Sequence, residues 1–133
     1  FGGSDIVEGD VVEGNSVKSA ACFHVQDQVW EALPPAPATP IGSAGATLDG
    51  YVYICGGYGM IGKVAQRFGT AARTWEQLAP MKERRWGAAA AIVGGQLYVC
   101  GGEGPENQVH DSIEVFDALA PYPGNPRRAG VWH

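Results

Sequence analysis

The chain has 133 residues, among them 20 Gly and 9 Pro, and carries a formal net charge of −5. Such acidity argues against general nucleic-acid binding, which rests on a broad basic face, and no apolar run reaches the ~18 residues that would span a bilayer. The 3 cysteines cannot all pair within one chain and none stands at CxxC spacing, so a reducing, intracellular setting such as the cytoplasm is expected, without a zinc site.

Phe1-Gly2-Gly3 reads as the end of a strand, which leads us to expect a piece of a longer chain. No basic-then-apolar leader follows. The next segment carries Asp5, Glu8, Asp10 and Glu13 among Gly and Val; a calcium loop needs closer and more regular oxygen spacing, so a solvated loop is expected. From Ser43 to Leu48 the residues are small and apolar, Asp49-Gly50 is a two-residue turn signal, and Tyr51 to Cys55 is aromatic and β-branched. Gly56-Gly57 closes that strand. A third strand is predicted over about Lys63 to Phe68 and a fourth over Thr74 to Leu78, ended by Ala79-Pro80. The order then recurs with Ala88 to Val93, the turn Gly94-Gly95, Leu97 to Cys100 and Ile113 to Asp117. Ala88 to Ala91 is helix-forming material, but four residues bracketed by glycines are too few to nucleate a helix.

The recurrence is literal. Residues 23–57 align with 68–102 at an offset of 45 without a gap, and 13 of the 35 pairs are identical. The matches include Phe23 with Phe68, Trp30 with Trp75, Tyr53 with Tyr98, and Cys55-Gly56-Gly57 with Cys100-Gly101-Gly102. They fall on residue types that shape a backbone or fill a core, which is the mark of a repeat architecture. Trp30, Trp75, Tyr53 and Tyr98 are therefore expected to be core between repeats, with both Trp largely buried. Cys55 and Cys100 are expected to be small buried thiols.

A strand ending in Gly-Gly, an aromatic before a loop, a Trp seven residues on and a Pro-containing turn into a small-residue strand together resemble the kelch repeat. In one copy those marks are Gly56-Gly57, Phe68, Trp75 and Ala79-Pro80-Met81, with Arg85 at the family's arginine. The resemblance implies an all-β fold, a β-propeller with blades of four antiparallel strands. About two and a half blades are expected here: a partial first blade at 1–34, a complete second at 35–80, and a third at 81–133 with a Pro- and Gly-rich insertion at 118–130. That insertion places Trp132 16 residues after Phe116. Closing a ring takes ~4 to 8 blades, so an incomplete ring is expected. The sequence departs from the family where Phe23 and Phe68 lack the following Asp-Pro, and where Pro40 stands at the position of Arg85 one repeat earlier.

Gly57-Tyr58-Gly59-Met60-Ile61-Gly62 also spells the dinucleotide fingerprint GxGxxG. The repeat already accounts for these glycines, and no second strand delivers an acid about 20 residues on, so no nucleotide cofactor is expected. His24, His110 and His133 are unclustered, and neither a metal site nor a catalytic constellation is indicated.

In an antiparallel blade the loop after Gly-Gly and the turn after the Trp strand emerge at one end. Lys82, Arg84, Arg85, Trp86, Tyr58, Asp5, Glu8 and Asp10 are therefore expected on one surface as candidate partner contacts, since binding residues concentrate on loops of a rigid scaffold. Trp beside Arg is a pairing enriched in binding hot spots. Residues 63–85 hold six bases against two acids, so an acidic or polar partner segment is expected. The expected function is a non-enzymatic protein–protein interaction module, or a structural subunit, whose partner is another protein or the rest of its own propeller. The alternative is part of a propeller enzyme acting on a sugar or other small molecule, with its catalytic residues in blades not present here.

Overall fold

A computed structural model describes residues 18–38, 41–118 and 130–133. Gly2, Gly3, Asp5, Glu8, Asp10 and most of the 118–130 insertion lie outside the described residues. Strands β1 (Ala20–His24) and β2 (Val29–Leu33) form an antiparallel hairpin. Strands β3 (Ala44–Leu48), β4 (Tyr51–Cys55), β5 (Ala65–Gly69) and β6 (Thr74–Gln77) form a four-stranded antiparallel sheet in chain order. Strands β7 (Ala89–Val93), β8 (Gln96–Cys100) and β9 (Ile113–Asp117) form a third sheet, also in chain order. Among the described residues no helix is long and apolar enough to cross a membrane.

The turn chemistry behaves as the sequence dictates. Asp49-Gly50 and Gly94-Gly95 both adopt positive φ at their two central positions, the geometry a two-residue hairpin requires. Ala89 to Ala91 is strand because it is zipped residue for residue to Tyr98 through Cys100, and tertiary pairing outweighs a short helical propensity. The segment after Gly62 extends into β5 instead of opening a helix, and Gly59–Ile61 is a single 3₁₀ turn.

The third sheet gains a third ladder, in the place of a fourth strand, from a distant segment. Val115 and His133 exchange both backbone hydrogen bonds at 3.0 and 2.8 Å, and Trp132 pairs with Phe116 across an antiparallel bridge. Trp132 thereby takes the place that Trp75 holds beside Phe68. The ring pairs Phe23–Trp30, Phe68–Trp75 and Phe116–Trp132 have centroids 5.1, 5.2 and 5.0 Å apart with similar tilts. The longer connection is looped out while the pairing is kept.

The main core fills the gap between the second and third sheets. Tyr53 and Cys55 on one side of β4 meet Leu97 and Val99 on β8, closed by Met81, Phe116, Ala118 and Trp132. Strand alternation sets this arrangement, because successive side chains leave opposite faces. Tyr98 and Cys100 are the repeat counterparts of Tyr53 and Cys55, yet they are only half-buried, since they lie on the far face of their sheet. The expectation of two buried Trp is corrected. Trp75 is half-buried and its indole N–H donates to the Pro34 carbonyl at 2.8 Å, whereas Trp30 is 71% exposed because no described segment covers the first hairpin's outer flank.

Candidate functional site

The segment 82–86 links the two larger sheets, and its arginines have opposite fates. Arg85 is 1% exposed, so its expected role as a surface contact is corrected. Its guanidinium donates to Glu114 Oε1 at 3.0 Å, the Gly101 carbonyl at 2.7 Å, and the Ser112 carbonyl and Oγ at 3.1 and 2.7 Å. Glu114 also accepts the backbone N–H groups of Lys82 and Glu83. From the other side, the Arg85 carbonyl accepts the Gly57 N–H at 2.8 Å. Arg85 is thus a rivet through both sheets. Gly56 makes the approach possible: its φ is +75°, and a Cβ there would run into the Arg85 carbonyl.

Cys55 lies against this pair. Burial pushes its thiol up to about 12, with the Glu114 carboxylate adding to the rise. The thiol is therefore neutral at physiological pH and inert as a nucleophile, as a core residue should be.

Held by that rivet, Arg84 and Trp86 project to the opposite side of the chain path. They meet Tyr58 at a cavity of about 180 Å³ that lies between the loop after β4 and the equivalent loop after β8. Tyr58 and Trp86 are edge to face, with centroids 5.7 Å apart at 89°. Glu103, Glu106 and Asn107 also line it. Trp86 exchanges backbone hydrogen bonds with Glu103 at 2.9 Å in each direction, which fixes their relative position. A second cavity of about 200 Å³ shares Trp86 and Glu103 and adds Gly87, Gly102 and Val109. The Arg84 carbonyl meets His110 Nε2 at 2.9 Å, while among the described residues the Arg84 guanidinium meets the Met60 sulfur at 3.8 Å.

Of the candidate contacts, then, Tyr58, Arg84 and Trp86 converge. Lys82 is exposed nearby in the chain but does not line the cavity, and Arg85 points inward. The sequence places the loops after Gly-Gly on this surface, and Glu103 opens the one after Gly101-Gly102, but neither Glu103 nor Glu106 was singled out. A signal was available: Tyr58 and Glu103 are repeat equivalents, as are Ile41 and Trp86, so the cavity is walled by loop positions at which the two copies differ. Among the described residues no group of His, Cys, Asp and Glu is placed to hold a metal ion.

A family profile described as Kelch motif matches residues 84–119. A solved structure titled "Structure of YjhT" is similar to this chain at 30% identity and a TM-score of 0.55, over 64% of this chain and 26% of that one. The chain therefore matches only about a quarter of that protein. No curated protein matches it. Together with the repeat and the sheets, these likenesses define the class: the chain carries a kelch motif, and its sheets are blades of an open, partial β-propeller.

Proposed function

We propose that the chain is a non-enzymatic interaction module that presents the loops of one propeller face to a protein partner. The observation that carries this reading is the convergence of Tyr58, Arg84 and Trp86 at one inter-blade cavity, with the arginine making no ion pair among the described residues. Tyr, Trp and Arg are the residues that dominate binding energy in protein interfaces. Size supports a side chain as occupant, because drug-sized ligands fill ~300 to 1,000 Å³ and this cavity holds about 180 Å³. The buried Arg85–Glu114 pair anchors the segment that carries Arg84 and Trp86, and a preorganised segment loses less ordering entropy on binding.

The test is affinity selection of a displayed random peptide library on the 133-residue chain, followed by titration of the recovered peptides. Arg84→Ala combined with Trp86→Ala should weaken them by at least ~2 kcal/mol, as loss of hot-spot residues does. Peptides that bind the double variant unchanged would place recognition elsewhere on the molecule.

A further inference from the structure

We propose that the first cavity receives a Lys or Arg side chain of the partner, an inference that rests on the interaction reading above. The run of bases in residues 63–85 points to an acidic partner, but the folded chain redistributes them. Arg85 is spent on Glu114, Arg67 on Glu76 and Arg73 on Glu31. What remains at the cavity is one guanidinium, Arg84, against two carboxylates, Glu103 and Glu106, a local balance of −1. Neither carboxylate makes an ion pair with a described residue, and Arg84 does not close onto either of them although all three line the same small space. The edge-to-face pair of Tyr58 and Trp86 lines the same space, and aromatic ring faces attract cations within ~6 Å. Aromatic rings together with carboxylates suit an ammonium or guanidinium. Arg84, which is only a donor, suits a backbone carbonyl or carboxylate beside that cation in the same segment. The second cavity, across Trp86, has Val109 on its wall and no cation. It offers room for an apolar neighbour.

The peptides selected on the unmodified chain decide the matter. Those whose binding depends on Trp86 should be rich in Lys or Arg. They should lose about fivefold or more in affinity when Glu103→Gln and Glu106→Gln are combined, and weaken as salt is raised. Glu106→Gln alone, at an exposed loop position, provides a variant with little risk to folding and should give a smaller loss in the same direction. If the Trp86-dependent peptides are instead rich in Asp and Glu, and respond to Arg84→Ala but not to the carboxylate changes, the cation site is overturned while the interaction function stands. If no peptide depends on Trp86, the cation site and the assignment of this loop face as the binding surface are both overturned.

Discussion

The position that decides most about this chain is Arg85, because what it touches differs between one blade junction and the next. Glu114 on β9 and Gln66 on β5 occupy the same place beside Phe116 and Phe68. Both reach back to the preceding linker: Glu114 to the N–H groups of Lys82 and Glu83, Gln66 to the N–H and carbonyl of Ala38 at 3.4 Å. Where the linker supplies Arg85 the partner is a carboxylate; where the sequence has Pro40 instead, the partner is the neutral amide of the same shape. The physical reason is the cost of burying a charge without its counter-charge. Arg85→Ala should therefore destabilise the chain by ~3 to 5 kcal/mol, because Glu114 is left buried and unpaired. The double change Arg85→Ala with Glu114→Gln recreates the uncharged junction and should lie closer to the parent than Arg85→Ala alone, a coupling that urea denaturation of the three variants measures. Simple addition of the two single losses would refute it. The exposed Arg73–Glu31 pair, at 2.7 Å, also joins adjacent units, but solvent screening leaves it little weight.

At the scale of strands and blades, Trp75 and Trp132 each tether their blade to the preceding unit. Trp75 Nε1 donates to the Pro34 carbonyl and Trp132 Nε1 to the Ala79 carbonyl at 2.7 Å, and Pro34 and Ala79 are themselves one repeat apart. Trp132 is 5% exposed, whereas Trp30 is 71% exposed. Trp132→Ala should thus cost ~3 to 5 kcal/mol, the usual range for emptying a large aromatic site. Trp30→Ala should stay within ~0.5 kcal/mol, as surface changes do. Equal losses in thermal or chemical denaturation would contradict the tether. The elements themselves were legible in the sequence because hairpin turns and Gly-Gly stops are local signals, and so was the place of Trp132, through its partner Phe116. Burial was not, since it depends on which face of a unit has a neighbour: Tyr53 and Tyr98 are identical in pattern and differ in cover. The same limit applied at the site. Sequence placed Arg84, Arg85 and Trp86 together, but only the fold separates Arg85, aimed at Glu114, from Arg84, aimed at the cavity.

The whole molecule has two unlike ends. The first hairpin exposes Phe23, Val29 and Trp30, and the third blade exposes Val93 and Ile113 beside the half-buried Tyr98 and Cys100. Each end is one half of the interface that is complete between the second and third blades, where Leu97 and Val99 are fully covered by Tyr53 and Cys55. Exposed apolar surface of this extent promotes association, and complementary ends favour a head-to-tail contact, which propagates unless rotation closes it. Light scattering on the 133-residue chain should give a mass above 14.0 kDa that grows with concentration. Trp30→Lys with Ile113→Lys should return the mass toward the monomer while leaving the cavity between the second and third blades intact, because neither residue lines it. The selected peptides should then bind this variant as they bind the parent. A monomer of 14.0 kDa at every concentration, melting sharply and reversibly, would show that the exposed flanks are tolerated as they stand.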